Sequence, residues 1–366
     1  MFDFIPIEYY TPVYYNILLC LVLLFVINNN GKSISDASNL NSKNNLGLLF
    51  LFFVVLCMGL RPISFKFGDM GMYNLEYRDF MNGASLIPDK DIVFYGFMKF
   101  MSGFASPGIF FFACTILYAI PLYFATKKIF REYWHYAFVM LVVSFSFWSY
   151  GTNGIRNGLA TTLFIYALSL RNEKKKIVGI IFTAFIHLSM IIPVAAYFVA
   201  KYVKKPKFLL FGWFFAILLS LAMGGFWENF FFSLGLVEED RSAGYLVMDV
   251  EEVTEMVELK VGFRWDFLFY SAFGVFAGWY YLIKRGLEDN FYKILFGTYI
   301  IANTFWVLVI RANFSNRFAY LSWFLMGLVI IYPLLKYEFF KDQNKVTGRI
   351  ILLYFAFTYL LTVVLG

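Results

Sequence analysis

Apolar residues run in long blocks, at about 12–27, 46–60, 107–125, 136–150, 156–170, 177–200, 207–226, 263–283, 291–310, 317–335 and 350–366, with short charged stretches between them. A bilayer core takes about 20 helical residues to cross, so the shorter blocks must extend into their polar flanks. The pattern predicts an all-α polytopic integral membrane protein, a single transmembrane helical domain over residues 1–366 with no internal repeat. No basic segment or small-residue cleavage site accompanies the first block, which therefore reads as a retained helix.

The connections orient the chain. Lys127, Lys128 and Arg131, Arg171 with Lys174 to Lys176, Lys201 to Lys207, Lys284 with Arg285, and Lys336 to Arg349 form basic clusters expected on the cytoplasmic side. Residues 227–262 carry nine carboxylates against Arg241 and Lys260 and are expected outside as an acidic loop. Lys clusters on both sides of 177–200 favour one side of the membrane, so that block reads as a hairpin turning near His187; the alternative is a straight crossing that breaks the charge rule. Residues 61–106 read as an extracytoplasmic segment with an interfacial or re-entrant helix near 92–105. About ten crossings plus these short helices then satisfy every cluster.

Composition removes the soluble classes. The chain is 61% hydrophobic and only 15% charged, against about 25% charged in soluble domains. Its net charge of +7 reflects the cytoplasmic lysines and arginines that set topology, so no nucleic-acid partner is expected. Cys20, Cys57 and Cys114 all lie inside apolar runs and make no disulfide framework.

An ionisable side chain at the centre of a membrane helix costs about 2.5–3.5 kcal/mol on insertion scales, so each one needs a reason. In the expected topology Arg61, Asp69, Arg156, His187, Arg264, Asp266, Arg311 and Arg317 collect on the outer face. Arginine offers a planar fork for phosphate, and Asn153, Asn157, Asn313 and Asn316 beside these arginines suit hydroxyl groups. Any one arginine taken alone is better explained by snorkelling to the interface or by pairing with a loop carboxylate, and Arg264 with Asp266 reads as a structural pair. Asp69, between Gly68 and Gly71 and one turn before Tyr73, reads both as the cap of a helix starting near Met70 and as a carboxylate able to take a proton from a sugar hydroxyl. His187 reads equally as a core histidine and as a functional one, whereas His135 beside Trp134 reads as an interfacial aromatic neighbour. Metal-ligand spacings are absent from the sequence, so no metal is expected.

The order Gly59-Leu60-Arg61, Gly68-Asp69 with Tyr73, Asn153-Gly154-Ile155-Arg156-Asn157-Gly158-Leu159-Ala160, Phe185-Ile186-His187-Leu188-Ser189 and Asn316-Arg317 resembles the EpsG-like branch of Wzy polysaccharide polymerases, over roughly residues 46–335. The resemblance implies a GT-C-like helical bundle acting as a metal-independent glycosyltransferase without a cofactor. It would join repeat units carried on undecaprenyl diphosphate into a surface polysaccharide at the outer face of the bacterial cytoplasmic membrane. The implied partners are the lipid-linked glycan donor and acceptor, the lipid bilayer, and a chain-length regulator with other polysaccharide-assembly proteins. On this resemblance His187, Asp69 and Arg156 are the catalytic candidates, with His187 or Asp69 as base. Arg61, Tyr73, Asn153, Asn157, Arg311, Asn316 and Arg317 are the substrate-binding candidates. Two other classes stand beside it. A lipid-linked oligosaccharide flippase would call for duplicated halves, and a membrane glycan acyltransferase would need its histidine served from the cytoplasm.

Overall fold

The computed structural model of the chain describes residues 4–27, 33–85, 91–233, 262–312 and 315–365, and every regular element among them is helical. Most of the acidic segment 227–262 lies outside the described residues, as does Asn313. Seven helical runs among the described residues are long and apolar enough to cross a membrane, Ile7–Ile27, Ala37–Gly59, Pro107–Val142, Pro206–Phe231, Asn290–Leu308, Ser315–Lys336 and Gln343–Val364. The other expected crossings are shorter helices broken at polar or glycine positions. Two compact units result, residues 1–194 with 330–366, and residues 195–329.

In the first unit, α1 (Ile7–Ile27), α2 (Ala37–Gly59), α5 (Pro107–Phe130) and α6 (Trp134–Val142) form the frame. Every residue of α6 is buried, as befits a helix that is apolar all round. His135 is part of it: fully buried, with its ring 4.6 Å from Tyr136 and 6.2 Å from Phe25. Its ring also lies 5.9 Å from that of Trp134, the aromatic neighbour expected of it, and burial inside the protein is what the sequence reading did not include. Burial follows from α6 starting at Trp134, which turns the Trp-His-Tyr run inward.

The block expected at 136–150 is two helices, α6 and α7 (Phe145–Thr152), because Ser144 adopts an extended backbone between them. Its hydroxyl donates to the Leu141 carbonyl at 2.8 Å, meeting an acceptor near the end of α6. A second break at Asn153-Gly154 separates α7 from α8 (Ile155–Leu168). The third interrupts the 177–200 block at the residue where the hairpin reading put its turn. There α9 (Glu173–Ile186) stops, His187 is extended, and α10 (Ile191–Tyr202) follows a short 3-10 turn. With 14 and 12 residues, neither half reaches the about 20 that a crossing requires.

Residues 61–106 hold two short helices, α3 (Met70–Met81) and α4 (Ile92–Ser102). Buried Met70, Tyr73 and Tyr77 line one face of α3, and buried Phe94, Met98 and Met101 line one face of α4, both at helical spacing. Tyr73 meets Phe94 edge to face, and Tyr77 packs on Phe110 at the start of α5 while its hydroxyl donates to the Ala105 carbonyl at 2.8 Å. Away from those faces Leu75, Ile92 and Phe100 are exposed, an arrangement suited to lying along a bilayer interface.

The second unit contains α11 (Pro206–Ser233), α12 (Trp265–Gly278), α13 (Asn290–Leu308) and most of α14 (Ser315–Lys336); α15 (Gln343–Tyr359) belongs to the first. One buried amide joins its four helices. Asn303 Nδ2 donates to Ser271 Oγ at 3.0 Å and Ser322 Oγ at 2.9 Å, while its Oδ1 accepts from Trp213 Nε1 at 2.7 Å. Small polar groups of this kind hold apolar helices together where the hydrophobic effect between them is weak. Asn303→Ala is expected to lower the stability of the detergent-solubilised protein by about 1–2 kcal/mol. Denaturant unfolding followed by tryptophan fluorescence measures this, and an unchanged midpoint would show that the node carries no stability.

Candidate active site

Four separate segments of the first unit meet at one polar cluster. They are the first turn of α3, residue 91 ahead of α4, the start of α8 and the break between α9 and α10. Helix α8 can begin where it does because Gly158 lets it approach α7: a Cβ there would lie 2.4 Å from the Tyr150 carbonyl oxygen. That approach sets Arg156 and Asn157 in the first turn of α8. The break at His187 supplies the facing side, with a backbone N–H at Leu188 that no preceding helical turn satisfies.

At the centre is Asp91. Its Oδ2 accepts from Arg156 Nη1 at 2.7 Å, and its Oδ1 accepts from the Leu188 backbone N–H at 2.8 Å. His187 Nδ1 lies 3.2 Å from Oδ1 and 3.1 Å from Oδ2. Arg156 also donates from Nε to the Tyr73 hydroxyl at 3.0 Å, and its guanidinium lies over the rings of Tyr73 and Tyr95. Arg156, Asp91 and His187 are only 4%, 6% and 8% exposed, so these charges meet largely out of water. Beside them Ser189 Oγ donates to Asn157 Oδ1 at 2.9 Å. Asp91 precedes the short helix α4 and lies outside the seven long spans. Burial alone would raise its carboxyl pKa, but the hydrogen bond and charge of His187, the charge of Arg156 and the Leu188 N–H outweigh it, and the group is held below its ordinary value.

Asp69 and Asn153 form an adjoining pair. Asp69 stands at the N-cap position of α3, as its cap reading required, yet its side chain makes no capping bond. Its backbone N–H donates instead to Asn153 Oδ1 at 2.9 Å. Gly68 makes this possible, since its φ of +63° is left-handed and a Cβ would come within 2.4 Å of the Asn153 side chain. Arg61 uses its guanidinium on backbone carbonyls. Only 2% exposed, it donates to the Met58 carbonyl and, at 3.3 Å, to the Thr152 carbonyl, so it ties the ends of α2 and α7 together. In that position it supports the Asn153 turn from behind.

Arg311, Asn316 and Arg317 belong to the second unit. Arg311 is exposed and donates to the Leu221 carbonyl at 3.4 Å, two residues before the non-helical kink of α11 at Met223. Asn316 and Arg317 are half-buried in the first turn of α14. Arg264 forms a two-bonded pair with Asp266, at 2.9 and 2.6 Å. Among the described residues, no group of three or more His, Cys, Asp or Glu side chains is placed to hold a metal ion.

The EpsG family model matches residues 44–366. The chain belongs to the EpsG family. Comparison with curated proteins and with solved structures returns no match. EpsG membership makes this an EpsG-type polymerase protein of polysaccharide biosynthesis in a membrane. Within the EpsG chain, the motif residues Tyr73, Arg156 and His187 are brought together, and Asn157 joins them through Ser189. Asp91, which holds Arg156 and His187 in common, is absent from the sequence-derived set. An acid just ahead of an apolar helix looks like an ordinary cap, and nothing in its neighbours distinguishes it.

The depressed carboxyl pKa of Asp91 sets the sign of a pH effect. Its contribution to stability is complete above the ordinary carboxylate value of about 3.9 and is lost as pH falls through the lower folded value. Thermal unfolding of the wild type is therefore expected to drop more steeply than that of Asp91→Asn between about pH 5 and pH 2. Parallel curves would show that this carboxylate is not stabilised by its neighbours.

Proposed function

We propose that this EpsG-family chain is a metal-independent, GT-C-type glycosyltransferase that polymerises undecaprenyl-diphosphate-linked repeat units into a surface polysaccharide. The reaction takes place at the outer face of the bacterial cytoplasmic membrane, where the protein works with a chain-length regulator and other assembly proteins. The observation that carries the reading is the meeting of Arg156 and His187, from two motif segments, at one buried carboxylate remote from both in sequence, in an EpsG-family protein.

An acceptor sugar hydroxyl attacks the anomeric carbon of the lipid-linked donor. The new C–O bond forms as the bond from that carbon to the diphosphate oxygen breaks, and the diphosphate leaves with the electron pair. The hydroxyl proton passes to His187, which acts as general base. Arg156 provides fixed positive charge near the departing diphosphate, and Tyr73 keeps its guanidinium in plane. Asn153, Asn157 and Asp69 offer hydrogen bonds to sugar hydroxyls. Within the second unit, Arg311, Asn316 and Arg317 are separate candidates for binding glycan or phosphate.

Proteoliposomes carrying the chain and an undecaprenyl-diphosphate-linked repeat unit test this, with product length read on a gel. Wild type is expected to give a ladder of polymer, and Arg156→Ala, at a matched level of folded protein, to lose about 10²-fold or more of the rate. Polymer of wild-type length from Arg156→Ala would overturn the assignment. Movement of the lipid-linked unit between leaflets without chain growth would instead identify a transporter.

A further inference from the structure

Three donors converge on the Asp91 carboxylate from segments that are remote in sequence, since Arg156 lies 65 residues away and His187 lies 96. An ionised carboxylate only accepts hydrogen bonds. With Arg156 and the Leu188 N–H already on its two oxygens, His187 Nδ1 can sit 3.1–3.2 Å from both only as a donor. The proton of a neutral His187 ring is then on Nδ1, and the lone pair is on Nε2.

Local structure gives way to this arrangement. Asp91 has φ +52° and ψ +41°, left-handed angles that few residues other than glycine adopt, although Asp tolerates them better than most. It occupies the N-cap position of α4, where an aspartate ordinarily bonds the backbone of its own helix, yet its side chain makes no such bond. The carboxylate is turned across to the α9–α10 break instead. Backbone strain and a forgone cap at one residue are found where a side chain is held for function.

We propose that Asp91 is the positioning residue of the site. Anchored by Arg156 and by the Leu188 N–H, it fixes the orientation and tautomer of His187 so that Nε2 is the nitrogen that receives the acceptor proton. The catalytic consequence rests on the reading of His187 as the base; the tautomer itself does not. Arg156 has a second task here, since its charge keeps the carboxylate ionised beside a histidine that becomes positive during the reaction. Asp69, its backbone N–H held by Asn153, is assigned to substrate contact.

The chain has only two histidines, so 15N-histidine labelling of the full-length protein in nanodiscs gives two imidazole signals, and His187→Gln identifies which is which. Wild-type His187 is expected as the single tautomer with Nδ1 protonated and Nε2 bare. Asp91→Asn, nearly the same shape, is expected to lose that preference and to lower kcat for polymerisation by about 10³-fold or more with little change in KM. Asp91→Glu keeps the charge that Arg156 requires but displaces it, and is expected to fold and to lose kcat as well. A wild-type His187 with Nε2 protonated, or an Asp91→Asn protein with wild-type kcat, would overturn the proposal. If wild type makes no polymer while its His187 tautomer still responds to Asp91→Asn, the polymerase reading fails and the positioning role stands.

Discussion

The buried pair between Arg156 and Asp91 is the contact on which the site depends. Two charges this far from water are costly to desolvate, and removing either one strands the other at about 3–5 kcal/mol. Each is therefore held by more than its partner. The Tyr73 hydroxyl accepts a hydrogen bond from Arg156 Nε, and Leu188 and His187 both bond Asp91. Through those bonds the ion pair joins α3, the start of α8 and the break before α10. Because the pair needs all three in register, the segments are located relative to one another by electrostatics as much as by packing.

The same cluster shows why helices stop where they do. Irregular backbone at membrane depth is tolerated only where protein satisfies it. The Leu188 N–H is met by Asp91, the Asp69 N–H by Asn153, the Leu141 carbonyl by Ser144 and the Thr152 carbonyl by Arg61. Broken helices therefore line the site, and their ends are rich in the polar groups a glycan diphosphate would use.

Much of this was legible along the chain. Apolar blocks located the long helices and, at 156–170, the body of α8, and lysine clusters on both sides of 177–200 anticipated a break at His187. Gly68 and Gly71 announced a tight turn before Tyr73, and the contact of Gly68 with Asn153 gives the physical reason. What stayed hidden depends on long-range geometry. Asp91 looks like a cap because capping and ion pairing use the same residue in the same place. The two carbonyls that Arg61 joins are equally invisible in the sequence, because one lies on a helix end 91 residues away and the other only one turn away. His135, next to an interfacial-looking Trp134, is buried because α6 is surrounded by protein on every side.

The central claim is that Asp91 and His187 act as one unit, and a double-mutant cycle on the polymerisation rate measures it. Residues that serve one function lose it once, so the Asp91→Asn/His187→Gln protein is expected to be about as slow as the slower single variant. Losses that multiply, leaving the double variant slower by the product of the two single effects, would contradict the account.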